Sequence, residues 1–155
     1  YRERSRGGIK GDIVFNNDMV DRTVNGEEEA YQAISDQLGI EPIGLSYTPK
    51  ELTFSKLLMT KGTAILEFQY KDTIFYMIYQ SNGIETSINH QSDSEVCQTV
   101  ENKWTGHTIK MRKEVTEKGT MKYEAQFIDQ NVLYEIVGEL PEEEFTEILK
   151  GLNYN

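Results

Sequence analysis

The chain reads as an α+β domain: a mainly antiparallel, twisted sheet of about six to seven strands with two helices packed on it, the amphipathic C-terminal helix last. Three observations predict this. Between residues 64 and 80, apolar residues alternate on both sides of a tight turn at Lys71-Asp72, the pattern of a β-hairpin. Between residues 108 and 137, further alternating runs are punctuated at Glu117-Lys118-Gly119 and at Asp129-Gln130-Asn131. Phe145, Ile148, Leu149 and Leu152 then recur at helical spacing and form one apolar stripe.

Residues 1–24 show no sustained period and read as an N-terminal linker or loosely ordered segment, with Gly7, Gly8 and Gly11 near its start. Residues 12–15 fit a short strand. Residues 25–155 read as a single domain, the size expected for one hydrophobic core. The first helix is predicted to start at Asn25, with Glu28 in capping-box spacing and Glu27 to Glu29 favouring the positive end of the helix dipole. Ala30, Tyr31, Ile34 and Leu38 share its apolar face, and Gly39 is placed to end it in a left-handed conformation.

Strand character follows over residues 43–47 and 52–59, separated by a turn at Thr48-Pro49-Lys50. In the hairpin, Ala64, Leu66, Phe68 and Tyr70 form one face of the outgoing strand. The returning strand is apolar on both faces: Ile74, Tyr76 and Ile78 on one, Phe75, Met77 and Tyr79 on the other. That predicts a central strand covered on both sides. Asn82-Gly83 breaks it, and residues 84–95 read as a polar loop. Residues 96–104 fit a strand. Residues 108–115 pair with 121–128, where Met121, Tyr123, Ala125 and Phe127 face one way and Lys122, Glu124 and Gln126 the other. After the strand 132–137, Pro141 is predicted at the first position of the last helix, where its missing N–H costs nothing.

The net charge of −10 makes nucleic acid and anionic lipid surfaces poor partners. The basic run Arg2, Arg4 and Arg6 lies in the N-terminal segment and reads as part of the linker. The longest apolar run, residues 73–79, falls far short of the ~20 residues of a membrane span. Cys97 is the only cysteine, so no intrachain disulfide forms.

The residues that carry chemistry are few. Cys97 with His90 or His107 is the one conceivable Cys/His pair, and Cys97 sits in an alternating stretch as a buried structural cysteine would. His90, Asp93 and Glu95 are the only metal-like cluster, better read as a solvated loop; neither a metal nor a cofactor is expected. Gly7-Gly8-Ile9-Lys10-Gly11 lacks the spacing of a phosphate-binding loop. The glutamates at 27–29 and 142–144 are explained as helix-start charges. Aromatic residues remain. Most belong to the core, and Trp104 is itself read first as a core residue at a strand end. Tyr76, Tyr79 and Trp104 are the candidates for ligand contact.

The run from Asn131 to Phe145, with Tyr134, Ile136 and Gly138 before Glu142-Glu143-Glu144-Phe145, continues to Ile148-Leu149-Lys150-Gly151-Leu152. It resembles the C-terminal signature of a bacterial family, domain of unknown function 4367. Leu45-Ser46-Tyr47-Thr48-Pro49 with Leu52-Thr53-Phe54, and the strand from Phe75 to Gln80, resemble its upstream segments, so that the likeness spans residues 43–152. Phe127 stands where many members carry tryptophan, which keeps an aromatic core residue and weakens any shared tryptophan-dependent site. The resemblance implies an extracytoplasmic domain, tethered behind a membrane helix or lipid anchor in Gram-positive bacteria, with relatives that look like lipoprotein-carrier or anti-sigma-associated sensor domains. It carries no catalytic residues. The basic Arg2–Arg6 run argues against a span ending immediately before Tyr1, because positive flanks prefer the cytoplasmic side.

The expected function is therefore a non-enzymatic sensor or interaction module that binds a protein or envelope component and meets a membrane only through an upstream anchor. The competing expectation is a carrier of a hydrophobic small molecule or lipid in a sheet-lined cleft.

Overall fold

The computed structural model describes residues 19–81 and 94–154. The elements run β1 (Val20–Arg22), α1 (Glu27–Leu38), β2 (Ile43–Gly44), β3 (Leu52–Thr60), β4 (Thr63–Tyr70), β5 (Thr73–Ser81), β6 (Glu95–Glu101), β7 (Thr108–Val115), β8 (Met121–Asp129), β9 (Val132–Gly138), α2 (Glu142–Gly151) and β10 (Asn153–Tyr154). The main sheet has eight strands in the order β1-β3-β4-β5-β9-β8-β7-β6. All its pairings are antiparallel. Two meanders, β3–β5 and β6–β9, join where β5 pairs with β9.

The α+β class and the antiparallel sheet agree with the sequence reading, and the sheet is wider than the six to seven strands expected. Part of the difference is β1. Val20 to Arg22 pair with Met59 to Leu57, inside the segment read as linker. Three exposed residues carry no alternation to detect. The strand expected over 43–47 shrinks to Ile43–Gly44, which pairs with β10 outside the main sheet. The strand suggested at 12–15 and the loop at 84–93 lie outside the described residues.

Both helices lie on one face of the sheet. Their apolar stripes join the inward residues of β3 to β9 in one core. Its centre is a run of edge-on rings: Phe54–Phe68 at 5.7 Å, Phe68–Phe75 at 5.7 Å and Phe75–Phe145 at 6.2 Å between centroids. Such contacts contribute roughly 0.5–1.5 kcal/mol each beyond burial. Gly138, in the Tyr134/Ile136/Gly138 signature, has a reason in this packing. A Cβ there would sit 2.6 Å from the Phe75 ring, so a side chain would push that ring out of line.

The helix ends differ by a residue or so from expectation. The N-cap of α1 is Gly26, not Asn25, and no side chain caps it. Glu29, rather than Glu28, reaches back to accept the Asn25 N–H at 2.9 Å. Gly39 does end α1 left-handed, at φ 68°, with its N–H bonded to Ser35. Pro141 occupies the N-cap of α2, one residue earlier than predicted. Gln130 and Asn131, both with positive φ, make the tight turn between β8 and β9.

β5 and β9 hold the centre of the sheet, as the two-sided apolar pattern of β5 predicted. On the face away from the helices, Ile65, Tyr76, Ile78 and Val137 are buried as a second apolar cluster. The polar side of β8 shares that face and is buried with it: Lys122 and Glu124 are each 3% exposed. Alternation located these side chains correctly but left their environment open. The Lys122 ammonium lies 3.5 Å from Glu114, Arg112 donates to the Ser94 hydroxyl and carbonyl at 3.0 Å each, and Gln126 donates to Glu135. Buried charge persists only when partnered in this way.

Candidate functional site

The structure does not bring Tyr76, Tyr79 and Trp104 together. Tyr76 and Tyr79, three residues apart on β5, point to opposite faces. Tyr79 is fully buried among core residues, edge-on to Tyr134 at 5.4 Å, and its hydroxyl donates to the Ile43 carbonyl at 2.7 Å. That bond ties the main sheet to the β2–β10 pair, and burial pushes the phenol well above its ordinary range. Tyr79→Phe is expected to cost about 1 kcal/mol in urea denaturation, because the Ile43 carbonyl loses a buried donor. An unchanged midpoint would show that the bond contributes nothing. Tyr76 sits in the second apolar cluster, its phenol pushed up to about 12 by burial and by Glu67 opposite it.

Trp104 departs from the core reading. It lies in the turn between β6 and β7 and is 56% exposed. The cause is Asn102, only 3% exposed. Its side-chain oxygen accepts the N–H of Trp104 at 2.9 Å, the N–H of Thr105 at 2.6 Å and the Thr105 hydroxyl at 2.9 Å. The backbone of the turn is thus drawn inward and the indole is left outside, with the Lys103 ammonium 6.0 Å from its ring.

The other end of Asn102 reaches α2. Its amide donates to the carbonyls of Leu149 at 2.8 Å and Leu152 at 2.9 Å. The Lys103 N–H takes the Lys150 carbonyl at 3.2 Å, and the Ser46 hydroxyl donates to that of Gly151. A helix leaves its last carbonyls without internal donors. Here the β6–β7 turn and Ser46 supply them. Sequence reasoning missed Asn102 altogether; Asn102 preceding a Thr-Gly turn was the one local signal.

Beside the turn, an open groove of about 580 Å³ runs between β6 and the outer side of α2. Gln98, Glu142, Glu143, Thr146, Glu147 and Lys150 line it. Gln98 crosses it, donating to Glu142 at 3.1 Å and to Thr146 at 3.0 Å. Lys150 is held 3.4 Å from Glu147. The helix-start glutamates therefore have a second consequence, a locally acidic wall.

The remaining chemical candidates are engaged structurally. His107 Nε2 lies 2.7 Å from Asp129 Oδ1, its ring tilted against Phe127 at 5.0 Å. Cys97 is half-buried at a β-bulge, and burial, then Glu142, pushes its thiol up, away from the nucleophilic form. Asn102, whose N–H bonds to the His107 carbonyl, follows β6 and stands five residues after Cys97, about 17 Å at strand rise. His90 and Asp93 lie outside the described residues. Among the described residues, no group of three His, Cys, Asp or Glu side chains is placed to hold a metal ion. Nor is any described helix long and apolar enough to cross a membrane.

No curated protein and no solved structure matches the chain. One family does, over residues 42–152, from just before β2 to the end of α2, within one residue of the span of the resemblance seen in the sequence. The chain belongs to the family described as domain of unknown function (DUF4367).

Proposed function

We propose that this domain is a non-catalytic protein-interaction module, held outside the cytoplasm by an upstream anchor, and that it meets its partner through the surface around Trp104. One observation carries the reading: the only tryptophan of the chain is held out in solvent on a turn pinned from inside by Asn102. A pre-positioned indole loses little freedom on binding and buries a large apolar area, which is why tryptophan dominates interface hot spots. The face between sheet and helices, where a carrier would need its cleft, is occupied by Phe68, Phe75, Tyr79 and Phe145. The extracytoplasmic placement rests on the family resemblance.

A photoreactive phenylalanine analogue at position 104, expressed in the native host, is expected to yield one discrete protein adduct. The same group at exposed Val115 is expected to yield none. Equal labelling from both positions, or no adduct from 104, refutes the interaction surface. Trp104→Ala is expected to change stability by no more than about 0.5 kcal/mol while abolishing the association, as befits a surface side chain. Protection of the domain from protease added to intact cells would refute the extracytoplasmic placement.

A further inference from the structure

We infer that the outer edge of β6 accepts an added strand: an extended lysine- or arginine-bearing segment of the partner pairs with the backbone of Thr99 and Glu101, and its basic side chains enter the groove against α2. This rests on the interaction reading above and specifies how the partner is held.

β6 ends the strand order, and among the described residues no strand lies beyond it. The Asn102 N–H bonds to the His107 carbonyl at 2.9 Å, which sets the alternation along the strand. Asn102, Val100 and Gln98 direct their backbone groups towards β7, opposite His107, Ile109 and Met111. Thr99 and Glu101 direct theirs outward. Such a row is a template for another strand. The bulge between Val96 and Gln98 twists the first part of β6 away from regular pairing, so the usable edge is the part next to Trp104. An added strand there sets alternate side chains beside Gln98, above the groove, and ends where the next outward N–H, that of Lys103, is taken by the Lys150 carbonyl of α2.

The groove selects the occupant by charge. Among the residues that line the groove, Glu142, Glu143 and Glu147 stand against one cation, Lys150, whose ammonium is already held by Glu147. An acidic strand would be repelled there. A basic one replaces solvent with complementary charge, which raises both association rate and specificity.

The probe is a synthetic peptide of about nine residues alternating lysine with valine and threonine, the length of an ordinary strand. Its control carries glutamate at every lysine. Fluorescence of the sole tryptophan follows binding, and hydrogen exchange follows the β6 amides. The lysine peptide is expected to bind, to protect the Thr99 and Glu101 amides, and to weaken roughly tenfold against Glu143→Lys/Glu147→Lys. The glutamate peptide is expected not to bind. Those two substitutions lie on the exposed side of α2, so their effect is readable without loss of the fold. If the lysine peptide does not bind, leaves both amides unprotected, or binds no better than its control, strand addition is overturned. A discrete adduct at position 104 would then still uphold the interaction reading, whereas absence of that adduct removes both.

Discussion

Phe145→Ala is expected to destabilise the domain by about 3–5 kcal/mol, the range for truncating a buried phenylalanine. The ring is fully buried and links three elements, touching Phe75 on β5 at 6.2 Å and Tyr123 on β8 at 5.7 Å. Removing it opens a cavity under α2 and breaks the aromatic run that joins the two meanders. Chemical denaturation followed by far-UV dichroism measures the loss. Phe145→Leu keeps much of the volume and is expected to cost less than about 1.5 kcal/mol. A loss below about 1 kcal/mol for the alanine variant would mean that α2 does not pack where the structure has it.

Asn102→Ala is expected to cost about 3–4 kcal/mol, unusual for one polar side chain. The carbonyls of Leu149 and Leu152 would lose their donor within the protein, and leaving a buried polar group unsatisfied costs roughly 1–3 kcal/mol. The turn that presents Trp104 would lose its acceptor as well. Asn102→Asp separates the two contributions. It restores the acceptor for the turn but sets a carboxylate oxygen against two carbonyls, so it is not expected to rescue stability. Full rescue by aspartate would show that the helix end does not depend on this side chain. Asn102→Ala is also expected to release the indole from its fixed position, which the emission of the single tryptophan reports, whereas Asn102→Asp keeps the acceptor and is expected to leave that emission unchanged.

The two hairpins, both helices and the central place of β5 were legible because they rest on local periods. Alternation along residues 73–80 shows the two faces of a strand without reference to any other part of the chain. The stripe Phe145, Ile148, Leu149 and Leu152 does the same for α2, and all four residues are buried in the core. The helix caps were nearly legible, with shifts of a residue or so, because Gly26 took the position expected for Asn25 and Pro141 the N-cap rather than the first turn. β1 was not legible, being three exposed residues held only by pairing with β3.

The candidate surface was legible only in pieces. Trp104 is a candidate contact by residue type, yet its place at a strand end favours the core. Tyr76 and Tyr79 are candidates on the same ground, though their odd spacing already puts them on opposite faces. Asn102 went unnoticed because its partners, Leu149 and Leu152, lie far along the chain. The groove joins Gln98 to residues of α2 that no sequence pattern connects.

By itself the sequence determined the kind of fold, the places of its helices and hairpins, and the family, since each depends on spacings within about ten residues. The tertiary structure decided what was exposed. Packing two meanders side by side buried Lys122 and Glu124 on a face that alternation alone would leave polar. Docking the end of α2 on the β6–β7 turn engaged Asn102 and turned Trp104 outward. Burial is a property of the assembled chain, set by contacts between residues distant in sequence, and exposure is what makes a side chain available to a partner.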